Sequence, residues 1–479
     1  MIPATLEPWV AIGRGFRPAP CDETVDAPAH AMLGTLAGRV VARFDVWVGD
    51  GAGAIGPSES RAVEQAAATA RSWGVPLVGE LTLSGPDVHA GLASLHGWGR
   101  AARAVTRVSG VVPVIVVVGG PCVGGPALLL GLADHVVMTA DAFAYVSGPA
   151  EVARMTGVAI DAAALGGSSV HARTSGLPSM VVPDLEEAWA AVADLLSYLP
   201  PNSLADPTRV PVRADDTDDP VDPVDRPSVR AAGAVPERAA AAYDVREVVE
   251  DVVDHGSFLE LHASWAPNVV VGYARVAGRP VGIVANQPWT RAGTMDVTAS
   301  AKAARFVLAC DAFNVPLVTF VDTPGFEPGK DLEWRGMIRH GAKLVQAYAT
   351  ATVPRVCVVL RKAYGGAYIV MDSKGLGNDL CFAWPGAEIA VMGAAGAVAV
   401  LEGRRLAQIA REDERDAERA RLEGEYAEHF LNPWRAAERG LVDAVIPPEQ
   451  TRAAVAASLE ILSTKRETGP ARRHSNIPL

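Results

Sequence analysis

Val75-Pro76-Leu77-Val78 is read a second time in this chain, as Val315-Pro316-Leu317-Val318. Each copy is followed by a second apolar strand, Val112-Pro113-Val114-Ile115-Val116-Val117-Val118 in one half and Val353-Pro354-Arg355-Val356-Cys357-Val358-Val359 in the other. Val112 lies 37 positions after Val75, and Val353 lies 38 after Val315. Eleven residues beyond Pro113 and Pro354 stand Gly124-Gly125 and Gly365-Gly366. A register kept over that distance marks two copies of one domain, each with a glycine-rich turn after a buried strand. Two such turns offer two carbonyl-binding sites, one per domain.

Working outward, strand and helix patterns alternate, which predicts α/β layers. Leu33 to Ala42 reads as a hairpin. Ser58 to Trp73 reads as a helix with Ser58 as its N-cap and Ala, Glu, Gln and Arg inside. A further helix is expected over Leu92–Val108. In the second half Asp244–Glu250 is helical by pattern, and Val269–Val276 with Pro280–Ala285 reads as a strand pair. The charged run from Arg404 to Tyr426 reads as one exposed helix with a solvated face. The domain reading is an N-terminal arm over 1–30, a first domain over 31–199, a Pro- and Asp-rich linker over 200–242 and a second domain over 243–479.

Composition narrows the function classes. The 479 residues suffice for two or three domains, and 49% are hydrophobic. No apolar run is long enough to span a membrane; the best, Val111–Gly125, is broken by Pro121. With no signal-peptide pattern at the start, a cytoplasmic protein is expected. A net charge of −12 argues against nucleic-acid binding. The five cysteines are odd in number and lack metal-ligand spacing, so reduced core cysteines and no metal site are expected.

The turn Gly120-Pro121-Cys122-Val123-Gly124-Gly125-Pro126 leads from a strand into an apolar, helix-like run, Ala127–Ala133. Backbone N–H groups at a helix start favour negative charge and stabilise an oxyanion. A tight turn needing glycine only for its dihedrals explains one such site; recurrence weakens that explanation for both. In the second turn, Arg361 and Lys362 are read as standing directly after a buried strand, which places its end at a site or at the surface. No Ser-His-Asp order, histidine cluster or phosphate loop stands out, and His171, His255, His262 and His340 read as structural or surface residues. The chemistry therefore rests on backbone amides rather than on a side-chain nucleophile.

Longer runs carry a family resemblance: Asn286-Gln287-Pro288, Phe320 to Gly329, Ile338 to Leu344, Arg361 to Tyr368, Ala383 to Gly393, and His474-Ser475-Asn476-Ile477-Pro478-Leu479. Gly120–Gly125, Ser147-Gly148-Pro149 and Leu165-Gly166-Gly167 match in the first half. The chain resembles the carboxyltransferase (β) subunits of biotin-dependent acyl-CoA carboxylases, of the propionyl-CoA and acetyl-CoA type. The resemblance implies two tandem crotonase-like domains of the ClpP/crotonase superfamily, each a ββα superhelix. It implies carboxyl transfer from carboxybiotin, held on a separate carrier subunit with its biotin carboxylase, to the α-carbon of an acyl-CoA or acyl carrier protein. The biotin ureido anion would remove the α-proton, and the enolate would attack carbon dioxide.

By carry-over, Gly366 and Ala367, with Gly365, face the biotin carbonyl, while Gly124 and Gly125 face the acceptor thioester. Tyr364, Tyr368 and Ile369 fall at substrate-binding positions. The resemblance also implies an obligate oligomer, a dimer, a trimer of dimers or a complex with a homologue, in which the two domains of a site come from different subunits.

Two departures stand out. Where the family has Asp-Ser-Gly-Gly-Ala-Arg-Ile-Gln-Glu-Gly, this chain has Thr82-Leu83-Ser84-Gly85-Pro86-Asp87-Val88-His89-Ala90-Gly91. Pro86 has no N–H to donate, and Asp87 puts an anion where coenzyme A phosphates would meet a cation. Ile369 replaces the Asp usual in propionyl-CoA enzymes, which predicts a changed acyl preference. The first domain is also shortened and lacks an evident basic helix. A biotin-independent decarboxylase or hydrolase, and a non-catalytic scaffold subunit, therefore remain as alternatives.

Overall fold

A computed structural model describes residues 10–11, 29–46, 53–210, 222–238 and 240–469. Most of the expected arm, the acidic cluster of the expected linker, Cys21 and the C-terminal His474–Leu479 run lie outside the described residues. The chain divides into two compact units, one of residues up to 208 with 262–265 and 312–314, the other of the remainder.

The N-terminal unit is built on a seven-stranded sheet. Its strands are β1 (Val10–Ala11), β2 (Ala29–Leu36), β3 (Arg39–Val46), β4 (Leu77–Leu81), β5 (Val114–Val118), β7 (His135–Thr139) and β9 (Met180–Val182), in that spatial order. A separate parallel pair joins β6 (Pro121–Val123) to β8 (Phe143–Tyr145). β2 and β3 form the expected antiparallel hairpin, and from β3 onward the main sheet is parallel. The C-terminal unit repeats the plan with β10 (Leu259–Leu261), β11 (Val269–Val276), β12 (Arg279–Asn286), β13 (Leu317–Thr323), β14 (Arg355–Tyr364), β15 (Leu380–Ala383), β16 (Glu388–Ala390) and β17 (Ala444–Val445). Again an antiparallel pair, β11–β12, leads into parallel strands. Each unit has its own apolar core, one around Phe44, Leu77 and Val116 and the other around Val248, Ile283 and Val358.

The repeated prolines have a physical explanation. Each strand starts one residue after its proline, at Leu77, Val114, Leu317 and Arg355, because proline has no ladder N–H to give. Its carbonyl is used instead. Pro76 accepts from Ala42 at 2.9 Å, Pro113 from Leu77 at 2.8 Å, Pro316 from Gly282 at 2.8 Å and Pro354 from Leu317 at 2.9 Å. The Val-Pro entry therefore fixes the stagger of neighbouring parallel strands in both units.

Several expectations need correcting. The first long helix runs Pro57–Trp73 and is capped by Gly56 rather than Ser58; Glu59 reaches back to accept the Gly56 N–H at 2.7 Å. A proline at the first helical position leaves Ser58 inside the helix. The 404–426 run is two helices, Ala394–Leu406 and Glu412–Phe430, interrupted at 407–411. The apolar run after Gly124 is a 3₁₀ helix, Gly125–Leu132. Of the expected linker, Val229–Ala234 is a helix built into the C-terminal unit, with Arg226 and Arg230 paired to the buried Asp251. No helix of the described residues is long and apolar enough to cross a membrane.

The N-terminal unit buries a charge cluster at the end of its sheet. Arg43 pairs with Asp45 at 2.7 Å, lies 3.8 Å from Glu80 and stacks 4.0 Å above the Trp189 ring. Burial, reinforced by Asp45, pushes the Glu80 carboxyl up to about 7 from its usual 4.5. The folded chain thus holds a proton that the unfolded chain releases, so this group costs stability as pH rises from about 4.5 to about 7. Glu80→Gln is expected to flatten the fall in thermal unfolding midpoint over that interval. An unchanged slope would assign the pH dependence elsewhere.

Candidate active site

In the C-terminal unit β12, β13 and β14 are parallel and end at Asn286, Thr323 and Tyr364. Ligand sites of parallel sheets lie at such carboxyl ends. The runs beginning at Asn286, Asp322 and Arg361 therefore share one edge, and β16 joins it by pairing Glu388–Ala390 with Lys362–Tyr364.

Arg361 and Lys362 lie within β14, not after it, and both are buried. The fully buried Asp322 explains this. It accepts from Arg361 Nε at 3.0 Å and from the Lys362 N–H at 3.2 Å, while its own N–H donates to Asn286 Oδ1 at 3.3 Å. Arg361 also donates to the carbonyls of Pro236 and Arg238 and lies 5.0 Å from the Tyr243 ring centre. Burial pushes the Asp322 carboxyl up, and Arg361 and Lys362 oppose it. Burial likewise pushes the Lys362 ammonium down. This cluster ties together the three strand ends under the turn.

At Gly365 (φ +58°) the chain leaves β14 and enters a short helix, Gly365–Val370. A β-carbon on Gly365 would meet the Val391 carbonyl at 3.0 Å, and one on Gly366 would meet the Phe326 ring at 3.4 Å. First-turn N–H groups, here including Gly366 and Ala367, have no acceptor inside their helix. The Tyr364 hydroxyl donates to Glu388, and burial with that carboxylate holds the phenol well above its usual range. Within this helix Tyr368 is buried, whereas Ile369 is 43% exposed.

Phe326 was not among the residues singled out from sequence. Around it the Met295 N–H donates to the Gly325 carbonyl at 3.1 Å, and the Glu327 N–H donates to the Met295 carbonyl at 2.9 Å. The Phe326 N–H itself has no partner among the described residues, although its ring packs against Gly366 and Gly341. An unpaired backbone donor at a glycine turn is suited to a ligand oxygen.

The N-terminal unit repeats this arrangement. The Ile55 N–H donates to the Gly85 carbonyl at 2.8 Å and the Asp87 N–H to the Ile55 carbonyl at 3.1 Å, so Pro86 stands where Phe326 stands. Gly124 (φ +79°) matches Gly365, and a β-carbon on it would meet the Pro86 ring at 3.3 Å. Here the amides are fewer. The Gly124 N–H donates to the Tyr145 carbonyl at 2.9 Å, and Pro86 and Pro126 have none. Gly125, beside the Trp98 ring, supplies the remaining N–H at the head of its helix. The Asp87 carboxylate accepts from the His89 N–H at 2.9 Å and packs beside Gly56, at the start of the Pro57–Trp73 helix. A helix start favours such a charge.

The signal for Phe326 was present in the sequence: Gly85 and Gly325 each lie ten residues after the repeated Val75 and Val315. Among the described residues no group of acidic, His and Cys side chains is placed to hold a metal. A cavity of about 710 Å³ between the Ala394–Leu406 and Glu412–Phe430 helices contains none of these site residues.

Comparison with known proteins gives the family and the fold. Residues 26–477 match the carboxyl transferase domain family. The chain is 44% identical to the propionyl-CoA carboxylase beta chain of Saccharopolyspora erythraea, over 93% of this chain and 82% of that protein. It is 42% identical to the methylmalonyl-CoA carboxyltransferase 12S subunit of Propionibacterium freudenreichii subsp. shermanii, over 94% of this chain and 84% of that one. A solved transcarboxylase 12S structure, described as a hexamer with methylmalonyl-CoA and methylmalonic acid bound, superposes with a TM-score of 0.89 at 40% identity. That match covers 94% of this chain and 85% of the other.

Proposed function

The chain belongs to the carboxyl transferase domain family, and from that premise we propose that it moves a carboxyl group between biotin on a carrier subunit and the α-carbon of an acyl-CoA. The observation that carries this reading is the duplicated glycine turn at equivalent strand ends, with unpaired amide hydrogen aimed at neither helix nor sheet at Phe326. Biotin, when bound, supplies the transferable carboxyl group and, once free of it, a base for the acceptor's α-proton. The turn suits a planar carbonyl compound, because Gly365 and Gly366 add no side chains and the Phe326 ring forms one wall.

In this reading the N–H groups of Gly366 and Ala367, joined by that of Phe326, hold one carbonyl oxygen as negative charge develops, on the biotin side. The Gly125 N–H does the same for the acyl thioester, with Gly124 giving the turn its left-handed bend. Preorganised amides of this kind avoid the reorganisation that water would require. Tyr364 supports the helix at its start and the buried Tyr368 anchors it from its own inner face, while the exposed Ile369 meets the acyl chain. As in the transcarboxylase 12S hexamer, the working form is a homo-oligomer, acting with a biotin carboxylase and biotin carboxyl carrier partner. Its compartment is the cytoplasm, in keeping with buried free thiols at Cys122, Cys310, Cys357 and Cys381.

The test is transfer from carboxylated free biotin, or from a biotinylated carrier domain, to a panel of acyl-CoAs read by mass spectrometry. Carboxylation of one or a few members is expected; none, with the oligomer intact, would contradict the reading. Pro86 gives a sharper expectation. Pro86→Ala returns an N–H at the place where Phe326 offers one, and is expected to raise kcat for acyl-CoA carboxylation by roughly tenfold, short of the 10²–10³ of a well-placed oxyanion donor. An unchanged or lower kcat in a folded variant would show that the N-terminal turn does not need a second donor.

A further inference from the structure

Cys357 on β14 and Cys381 on β15 are direct partners in a parallel ladder. Neighbouring strands lie about 4.8 Å apart, within the Cα separation of about 4.4–6.8 Å that a disulfide spans. Partners in register also point to the same face. That face is not the one carrying Val356 and Val358, which pack into the apolar core of the unit. It is the face under the Gly365–Val370 helix: Cys357 Sγ donates to the Met371 carbonyl at 3.9 Å, and both sulfurs lie within electrostatic reach of the Tyr368 hydroxyl. Cys381 Sγ donates to the Phe382 carbonyl at 4.0 Å, and the neighbouring Cys381 thiol, with burial, pushes the Cys357 thiol well above its usual range.

We propose that Cys357 and Cys381 form a modification site, an intramolecular disulfide made by hydrogen peroxide that ties β14, the strand leading into the glycine turn, to its neighbour β15. One thiol, as thiolate, attacks a peroxide oxygen. The O–O bond breaks, and the products are a sulfenic acid and water. The second sulfur displaces hydroxide from the sulfenic sulfur, which leaves as a second water once protonated. In total two S–H bonds are lost, one S–S bond forms, the sulfurs give up two electrons and the peroxide becomes two waters.

Burial and a raised thiol make the first step slow, so the oxidant must be small and uncharged and must enter through local opening. β15 is the strand suited to open: it has four residues and is backed by only the two-residue β17. Closure to the disulfide S–S distance of about 2.05 Å removes the Cys357 donor from the Met371 carbonyl and shifts the floor beneath Tyr368 and Ala367.

The experiment treats the reduced full-length protein with hydrogen peroxide, blocks remaining thiols under denaturing conditions and maps peptides without reduction. The expected result is one linked pair, Cys357 to Cys381, lighter by two hydrogens than the separate peptides and split again by dithiothreitol. Recovery of both cysteines as alkylated thiols after peroxide has consumed Cys122 or Cys310, or their linkage to other cysteines only, would overturn the proposal. Cys381→Ala is expected to lose the linked pair, and if that variant does not fold, Cys357→Ser provides the same control. The linked peptide is read by mass alone, so its presence or absence stands apart from whether the chain transfers carboxyl groups. Loss of transfer on oxidation, recovered with dithiothreitol, is the functional consequence expected.

Discussion

Gly366→Pro is expected to lower carboxyl transfer by about 10²–10³-fold, the loss typical of removing one oxyanion donor, while leaving the oligomer assembled. Gly366 lies in the first turn of the Gly365–Val370 helix, where proline fits without breaking an intrahelical hydrogen bond. What proline removes is the N–H. The control is Gly366→Ala, which keeps that N–H. Its β-carbon would meet the Phe326 ring at 3.4 Å, the near edge of ordinary van der Waals contact. The two variants thus separate the amide from the space around it. Turnover is read with saturating acyl-CoA and the assembly by light scattering. Equal losses in both variants would point to crowding at Phe326, and retained activity in Gly366→Pro would remove this amide from the mechanism.

Asp322→Ala is the second large effect, and its readout is stability. Asp322 is fully buried and receives the Arg361 guanidinium at 3.0 Å and the Lys362 N–H at 3.2 Å. Deleting it leaves the buried Arg361 without its carboxylate, which for buried pairs costs about 3–5 kcal/mol. The thermal unfolding midpoint is expected to fall accordingly, with loss of transfer as the ends of β13 and β14 loosen beneath the turn. Replacing both partners with apolar residues, Asp322→Leu with Arg361→Met, is expected to recover part of that stability, because the Arg361 charge is then no longer left buried without its carboxylate, although the Lys362 ammonium still loses Asp322 4.0 Å away. A double variant as unstable as Asp322→Ala would show that the pair contributes packing rather than charge compensation.

Much of the parallel architecture was legible in the Val-Pro repeat, because a proline that gives its carbonyl but no N–H marks where a parallel strand begins. The glycine turns were legible too, since Gly124 and Gly365 occupy left-handed backbone in both units. Arg361 and Lys362 were placed wrongly because two adjacent cations read as a strand end. Only the structure shows that Asp322, 39 residues earlier than Arg361, lies on the neighbouring strand and neutralises them inside the sheet. The cap at Gly56 escaped for a local reason: Ser58 is a good capping residue in general, but Pro57 takes the first helical position and Glu59 completes the cap. The Phe326 amide escaped because an unpaired N–H is a property of the fold, where Gly325 and Glu327 use their groups on Met295 and leave the residue between them unsatisfied.

Isotope exchange tests the central claim most directly. Malonyl-CoA or methylmalonyl-CoA carrying a ¹³C-labelled free carboxyl group is incubated with the protein and free biotin, and the biotin is analysed by mass spectrometry at alkaline pH. The account predicts labelled carboxybiotin, formed with wild type and greatly reduced with Gly366→Pro. Label released as carbon dioxide at the same rate with and without biotin, and never found on it, would contradict carboxyl transfer and identify a biotin-independent decarboxylase.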